Sequence, residues 1–221
     1  MPITLIFCLP GKQFSGEFLE CWTSMITYCY NNNIAYRLSR KYSPVVNMSR
    51  CLCLGANVLS GNNQKPFQGR IQYDYLIWID NDTIFTAKDV LSLIEHDVDI
   101  VAALQMMKGN SGYTCFDWDL DYYRIHGTMP AYTPEKIRQT PRTEKGLIEV
   151  DYVGFGLMVV KEGVFEQMEY PWFRPRLFKV GDGVQDMCSE DSSFCLEAWK
   201  LGFKVHVDPE VTVGHEKMFT I

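Results

Sequence analysis

The segment Tyr75-Leu-Ile-Trp-Ile-Asp80-Asn81-Asp82-Thr83 sets two carboxylates two positions apart at the end of a five-residue apolar run. In an extended segment residues i and i+2 face the same side, so Asp80 and Asp82 are expected to aim at one spot. Two carboxylates there suit a hard divalent cation, Mg²⁺ or Mn²⁺, which in turn holds phosphate oxygens. The spot would lie at the carboxyl edge of a buried strand, where open α/β sheets collect ligands. Asp-Asn-Asp-Thr is also good turn and cap chemistry, so the triplet needs corroboration elsewhere in the chain.

A second cluster stands near the other end. Ser189-Glu190-Asp191 opens a stretch with Phe194, Cys195, Ala198, Trp199 and Leu201 at helical spacing, closed by Gly202, and Gly214-His215 follows two short valine-rich runs at 205–207 and 211–213. Two acidic residues in a first turn stabilise any helix through its dipole, and a lone histidine in a polar tail is ordinarily solvated. The stretch Asp151-Tyr152-Val153-Gly154-Phe155-Gly156 has glycines that let a backbone approach a ligand closely. Trp118, Tyr122, Tyr123 and Tyr132 fill an aromatic region suited to stacking on a ligand or to a satellite core under a long loop. His96, His126 and His206 belong to no motif and read as structural or surface residues.

The elements that must position these groups alternate. Residues 3–9 form a continuous apolar run, a strand covered on both faces, and a helix follows from about Ser15 with Phe18, Met25 and Cys29 on its buried stripe. Residues 35–38 make a second strand, 46–59 a second helix with Arg50 on one face, and 75–80 the strand that feeds the triplet. Thr86 is placed to cap a helix buried through Val90, Leu91 and Ile94, and 100–104 is the next strand. This β-α-β-α-β-α-β order predicts a three-layer α/β domain with a mostly parallel sheet. Residues 108–144 lose periodicity and read as a long irregular excursion, of the kind that is often functional. Regular structure resumes at 147–152, 156–160 and a short helix through Val164, Phe165 and Met168.

Composition sets limits. The 221 residues are enough to bury a core as one domain, and 47% hydrophobic with 22% charged is ordinary globular usage. A net charge of −6 argues against nucleic acid, which needs a basic face. An anionic ligand would have to be met locally by a metal, a few placed Lys or Arg, or a helix N-terminus. Eight cysteines without zinc-type spacing fit a reducing cytoplasm, and no run approaches a membrane span.

The ordered set, a D-x-D triplet ending a central strand, a Gly-rich strand, an E-D pair opening a helix and a His near the C-terminus, resembles the GT-A glycosyltransferases. It is most similar to the family 2-like group and to small virus-encoded versions that glycosylate their own capsids, as in algal large DNA viruses. The resemblance covers residues 3–217. It implies a three-layer α/β/α, Rossmann-like domain with a mostly parallel central sheet and a small C-terminal mixed sheet, a single unit over 1–221 with a nucleotide-binding half at 1–106 and an acceptor half at 107–221. Asp82 would coordinate the metal, Asp80 would support metal and ribose, and His215 would supply a nitrogen ligand, which favours Mn²⁺ over Mg²⁺. Pro10 and Gly11 would border base and ribose, and Asn81 sits within the donor-gripping triplet. Arg37 and Arg50 would meet nucleotide or phosphate, and Gln105, Gly154 and Gly156 would border the sugar. Glu190 or Asp191 would face the acceptor, with Asp191 as base for inverting transfer. The implied donor is a nucleotide-sugar, by family habit a UDP-sugar. The acceptor is a glycan or glycoprotein hydroxyl, and the setting is the cytoplasm, a host's if the protein is viral.

Two rivals start from the same residues. The run 76–83 also fits the aspartyl nucleophile motif of haloacid-dehalogenase-like phosphatases, with Asp80 as nucleophile and Gly181-Asp182-Gly183-Val-Gln-Asp186 as a second metal motif. That reading leaves Glu190, Asp191 and His215 without roles. A catalytically silent carbohydrate-binding module is the non-enzymatic alternative.

Overall fold

The computed structural model describes residues 3–107, 109 and 111–216. Lys108, where the irregular excursion was expected to begin, lies outside the described residues. In chain order the elements are β1 (Thr4–Pro10), α1 (Gly16–Asn31), β2 (Ala35–Lys41), α2 (Val46–Cys53), β3 (Tyr75–Ile79), β4 (Thr83–Ile84), α3 (Ala87–Glu95), β5 (Ile100–Gln105), β6 (Cys115–Phe116), α4 (Leu120–His126), α5 (Pro134–Gln139), β7 (Ile148–Val150), β8 (Tyr152–Val153), β9 (Leu157–Lys161), α6 (Val164–Gln167), β10 (Leu177–Gly181), β11 (Val184–Met187), α7 (Glu190–Lys200) and β12 (Val205–His215).

The central sheet runs β2-β1-β3-β9-β5-β12-β4, with β7 also on β12. The β1–β2, β1–β3 and β5–β12 pairs are parallel, and β9 lies antiparallel between β3 and β5. Strands β3 and β5 are buried along their whole length, so they read as unbroken apolar runs. Their pleat divides the core: Leu76 and Trp78 face one side, with Phe155, Phe165, Phe173 and Phe194, while Tyr75, Ile77 and Ile79 face the other. That second face is covered by α1 through Phe18, Met25 and Cys29 and by α3 through Val90, Leu93 and Ile94. Ser15 caps α1 through Phe18 N, and Thr86 and Asp89 form a reciprocal capping box on α3.

Several boundaries differ from expectation. Leu93, not Leu91, completes the buried stripe of α3. The helix expected over 46–59 stops at Cys53, because Gly55 turns to φ +72° and Asn57 caps a separate 3₁₀ turn at Val58–Ser60. The two short C-terminal strands are one strand, β12, with a register shift between Asp208 and Thr212. Pro209 has no N–H to give the ladder there, so a bulge absorbs it. β12 belongs to the central sheet, and the small sheets are antiparallel pairs, β6–β8 and β10–β11. The irregular region contains α4 and α5. Trp199 and Leu201 of the last helix face solvent, 65% and 40% exposed.

Candidate active site

β3 ends at Ile79 and residues 80–83 form a tight turn, closed by Thr83 N donating to Asp80 O at 3.1 Å. Gly156 O accepts from both ends of it, from Asp80 N at 3.1 Å and Thr83 Oγ1 at 2.9 Å. The triplet is therefore not extended, and its carboxylates do not converge as expected. Each goes to a partner of its own.

Asp80 goes to Arg50. This arginine projects from α2 into the interior, with 3% of its side chain exposed. Its Nη2 donates to Asp80 Oδ2 at 3.1 Å, its Nη1 lies 3.0 Å from Asp80 Oδ1, and its Nε donates to Glu190 Oε1 at 3.3 Å. The guanidinium rests 4.6 Å from the centre of the Phe155 ring, a cation–π arrangement that replaces part of its lost hydration. Burial pushes the Asp80 carboxyl above its ordinary range while Arg50 pulls it down, and the charges of Asp82 and Asp191 add to the upward push. Arg50 thus joins the end of β3 to the start of α7, reaching Glu190 across 140 residues.

Asp82 goes to His215, with Oδ2 2.9 Å from Nε2. The cause is register: β4 pairs antiparallel with β12, setting His215 opposite Thr83, and Glu216 N donates to Asp82 O at 2.7 Å. The other ring nitrogen, Nδ1, is buried and unpartnered among the described residues. Asp191 sits at the N-terminus of α7 with Oδ1 held by the Ser189 hydroxyl and by Ser192 N at 2.8 Å. Its Oδ2 looks toward Gly154, where an added Cβ would lie 3.7 Å away.

Among the described residues no group of three His, Cys, Asp or Glu is arranged to hold a metal. The Asp82–His215 pair offers two donors whose 2.9 Å separation suits a hydrogen bond. It also matches the ~3 Å between neighbouring ligands at metal distances of about 2.1 Å. Charge points the same way. Asp80, Glu190 and Asp191 act on one guanidinium, and Asp82 adds its charge next to Asp80, so a diphosphate entering the site meets net repulsion unless a cation comes with it. The residues fit a site with two protein ligands whose other positions are left to phosphate oxygens and water.

Beside the triplet, at the carboxyl ends of β1 and β2, an open cleft of about 460 Å³ is lined by Pro10, Gly11, Lys12, Tyr42, Ser49 and Asn81, a size typical of small-molecule sites. Gly11 packs so tightly on Asn81 that a Cβ would stand 2.8 Å from Asn81 Cβ. Asn81 Nδ2 donates to Gln13 O at 2.9 Å, fixing the triplet to the cleft wall.

Of the residues singled out in sequence, Pro10, Gly11, Arg50, Asp80, Asn81, Asp82, Gly154, Glu190, Asp191 and His215 come together here. Arg37 does not. It is exposed in the middle of the edge strand β2, opposite Ile6, about 13 Å short of the strand end at 3.3 Å per residue. Gln105 is 6% exposed and donates to Thr83 Oγ1 at 3.3 Å, and the space beside Gly156 is taken by its amide. Both brace the turn from beneath. Ser39 donates its hydroxyl to Cys53 O, and Asn57 caps the 3₁₀ turn. Residues missed in sequence are Thr83, Phe155, Lys12 and Tyr42. The position of Thr83 directly after the triplet was the available signal; nothing local marks Phe155 as the platform under Arg50.

The phosphatase alternative loses both its parts. Asp80 is engaged by Arg50 through both oxygens. Asp182-Gly183 is the two-residue turn of the β10–β11 hairpin, with Gly183 at φ +72°. Asp182 pairs with Lys179, and Asp186 accepts from the Tyr123 hydroxyl.

No family model and no curated protein matches the sequence. Solved structures do match in fold. The structure of A197 from STIV aligns at TM-score 0.52 and 16% identity over 99% of this chain and 96% of that one. GalNAc-T7 with UDP, GalNAc and Mn²⁺ aligns at 0.51 and 16% over 99% of this chain and 37% of that one. The catalytic domain of Drosophila β1,4-galactosyltransferase 7 in complex with xylobiose aligns at 0.51 and 12% over 98% and 71%. Identities this low speak for architecture alone, and that architecture, a large mostly parallel sheet between helical layers with small antiparallel pairs beside it, is the GT-A fold.

Proposed function

We propose that this chain is a metal-dependent glycosyltransferase that moves a hexosyl group from a nucleotide-diphosphate sugar, with UDP as the nucleotide, to a hydroxyl of a glycan or glycoprotein. The observation that carries the reading is the meeting of Asp82 with His215 and of Asp80 and Glu190 with one buried Arg50, beside a nucleotide-sized cleft. The GalNAc-T7 structure, which holds UDP, GalNAc and Mn²⁺, supports the choice of donor and metal. Eight free thiols support a reducing, cytoplasmic setting. Among the described residues no helix is long and apolar enough to cross a membrane.

In this reading the cleft at Pro10, Gly11 and Tyr42 holds base and ribose, and Asp82 with His215 would hold Mn²⁺ or Mg²⁺. Such a cation supplies positive charge to the diphosphate as it leaves. Arg50 opposes the effect of burial on Asp80 and fixes its carboxylate, so the turn does not rearrange as charge develops. Asp191 Oδ2 takes the proton of the acceptor hydroxyl. The hydroxyl oxygen bonds to the sugar C1, and the C1–O bond to the diphosphate breaks with its electron pair leaving on the nucleotide, which is inverting transfer.

A thermal-shift series with UDP- and GDP-sugars, with and without Mn²⁺, tests the proposal. Metal-dependent stabilisation by a nucleotide-sugar, with slow release of the nucleoside diphosphate, is expected. No stabilisation by any member of the panel would overturn it.

A further inference from the structure

Beside Ser189 and Ser192, the neighbours of Asp191, the structure leaves a cavity of about 180 Å³ between the start of α7 and the β10–β11 hairpin. Trp118, Tyr123, Tyr152 and Phe178 wall it. Trp118 and Tyr123 stand edge-on to Phe178, with ring centres 4.9 and 5.3 Å away, and Trp118 is 6.1 Å from Tyr152. Ser189 and Ser192, whose hydroxyl and amide hold Asp191 Oδ1, line the same space.

A satellite core would close such a gap. The rings on the inner face, Trp78, Phe155, Phe165 and Phe194, pack centre to centre at 4.9 to 6.0 Å and are fully buried. The four around the cavity are each partly exposed and leave it open. The volume equals about six waters at liquid density, the scale of one six-membered ring. Flat aromatic walls suit the C–H faces of a pyranose, whose hydroxyls leave at the rim. Ser189, Ser192 and Thr128 also line the cavity and carry hydroxyls. Among the described residues the Tyr152 hydroxyl makes no hydrogen bond. Burial and the nearby Asp191 charge hold it in its protonated, donating form.

We infer that this aromatic cavity receives the terminal pyranose ring of a carbohydrate acceptor and presents one of its hydroxyls to Asp191. The inference rests on the transferase reading and narrows it, since a serine or threonine of an extended peptide would leave the aromatic walls without contact. Tyr152 and Trp118 become specificity residues for the acceptor, not the donor.

The test uses the whole chain with UDP and Mn²⁺ present. Ligand-observed NMR is recorded with methyl glucopyranoside, galactopyranoside and mannopyranoside and with acetyl-serine-amide, on wild type, Trp118→Ala and Phe178→Leu, each checked for fold by its melting curve. Expected are saturation of at least one pyranoside, none of the serine amide, and binding at least tenfold weaker in a folded Trp118→Ala or Phe178→Leu. Once a turnover assay exists, the same variants should raise KM for acceptor and leave KM for donor unchanged. Wild type that takes no pyranoside, takes the serine amide equally well, or loses nothing in either folded variant overturns the inference. Stabilisation by UDP with Mn²⁺, read in the same samples, reports on the transferase reading separately.

Discussion

Arg50 and Asp80 meet through the two terminal guanidinium nitrogens and both carboxylate oxygens, at 3.1 and 3.0 Å, on a ring platform supplied by Phe155. Because Arg50 is buried and Asp80 keeps 28% of its side chain in solvent, the pair stands between a surface bridge and a sealed one. Arg50→Met is expected to cost about 2–4 kcal/mol, short of the worst loss for a fully buried pair, since it strands Asp80 and Glu190 without their cation. The Arg50→Met/Asp80→Asn double variant should recover part of that loss, and urea denaturation of wild type, Arg50→Met, Asp80→Asn and the double variant checks it.

Asp82 and His215 share one contact, so their variants should fail alike. His215→Ala and Asp82→Ala are each expected to weaken Mn²⁺-dependent UDP binding more than about tenfold while leaving the melting temperature of the ligand-free protein nearly unchanged. Chelation of the metal should reproduce the defect in wild type. Calorimetric titration of UDP with Mn²⁺ and with EDTA measures both.

Asp191→Asn separates chemistry from binding. It keeps the size and the contacts to Ser189 and Ser192 N but no longer takes a proton, so kcat should fall by about 10²–10⁴ with donor affinity retained. Equal turnover in this variant would remove Asp191 as base.

Gly156→Ala forces a Cβ to within 2.6 Å of the Gln105 amide oxygen, and that amide is buried and bonded to Thr83. A loss of about 1–3 kcal/mol is expected from overpacking. Adding Gln105→Ala should relieve the clash, so the double variant unfolds at higher urea than Gly156→Ala alone.

His206 is buried on β12 with Nδ1 3.2 Å from Ile100 O, and burial lowers its pKa from the ordinary 6.5, against Glu149 and Asp99, which raise it, and together with Lys204, which lowers it. The unfolded chain therefore binds more protons than the folded one below pH 6.5. Stability is full above that pH and falls as acid drives the pH down toward the lowered folded value. His206→Gln should flatten this acid limb in denaturation curves between pH 7 and 5, to about the extent that one histidine contributes.

The alternating apolar runs were enough to predict the strand and helix order, because burial on both faces of a sheet leaves no room for polar residues at 5–9, 75–79 or 100–104. The cap at Thr86 was legible as local hydrogen-bond chemistry, and the helix start near Ser15 was legible from the periodicity that follows it. The pairing order was not. Only the tertiary structure inserts β9 antiparallel between β3 and β5 and carries β12 into the central sheet, since strand choice depends on contacts far apart in sequence.

The same division runs through the site. The ordered set, through the resemblance it carries, marked Asp80, Asp82, Glu190, Asp191 and His215; a strand end and a helix start have local signatures, whereas His215 has none of its own. Which of them touch was decided by a turn that strand periodicity does not report, by the β4–β12 register that brings His215 to Asp82, and by the 140-residue reach of Arg50 to Glu190. Arg37 and Gln105 carry the side chains a donor site would want, but one faces outward from an edge strand and the other is spent beneath the turn. Side-chain chemistry is written one residue at a time, whereas proximity and burial are properties of the whole fold.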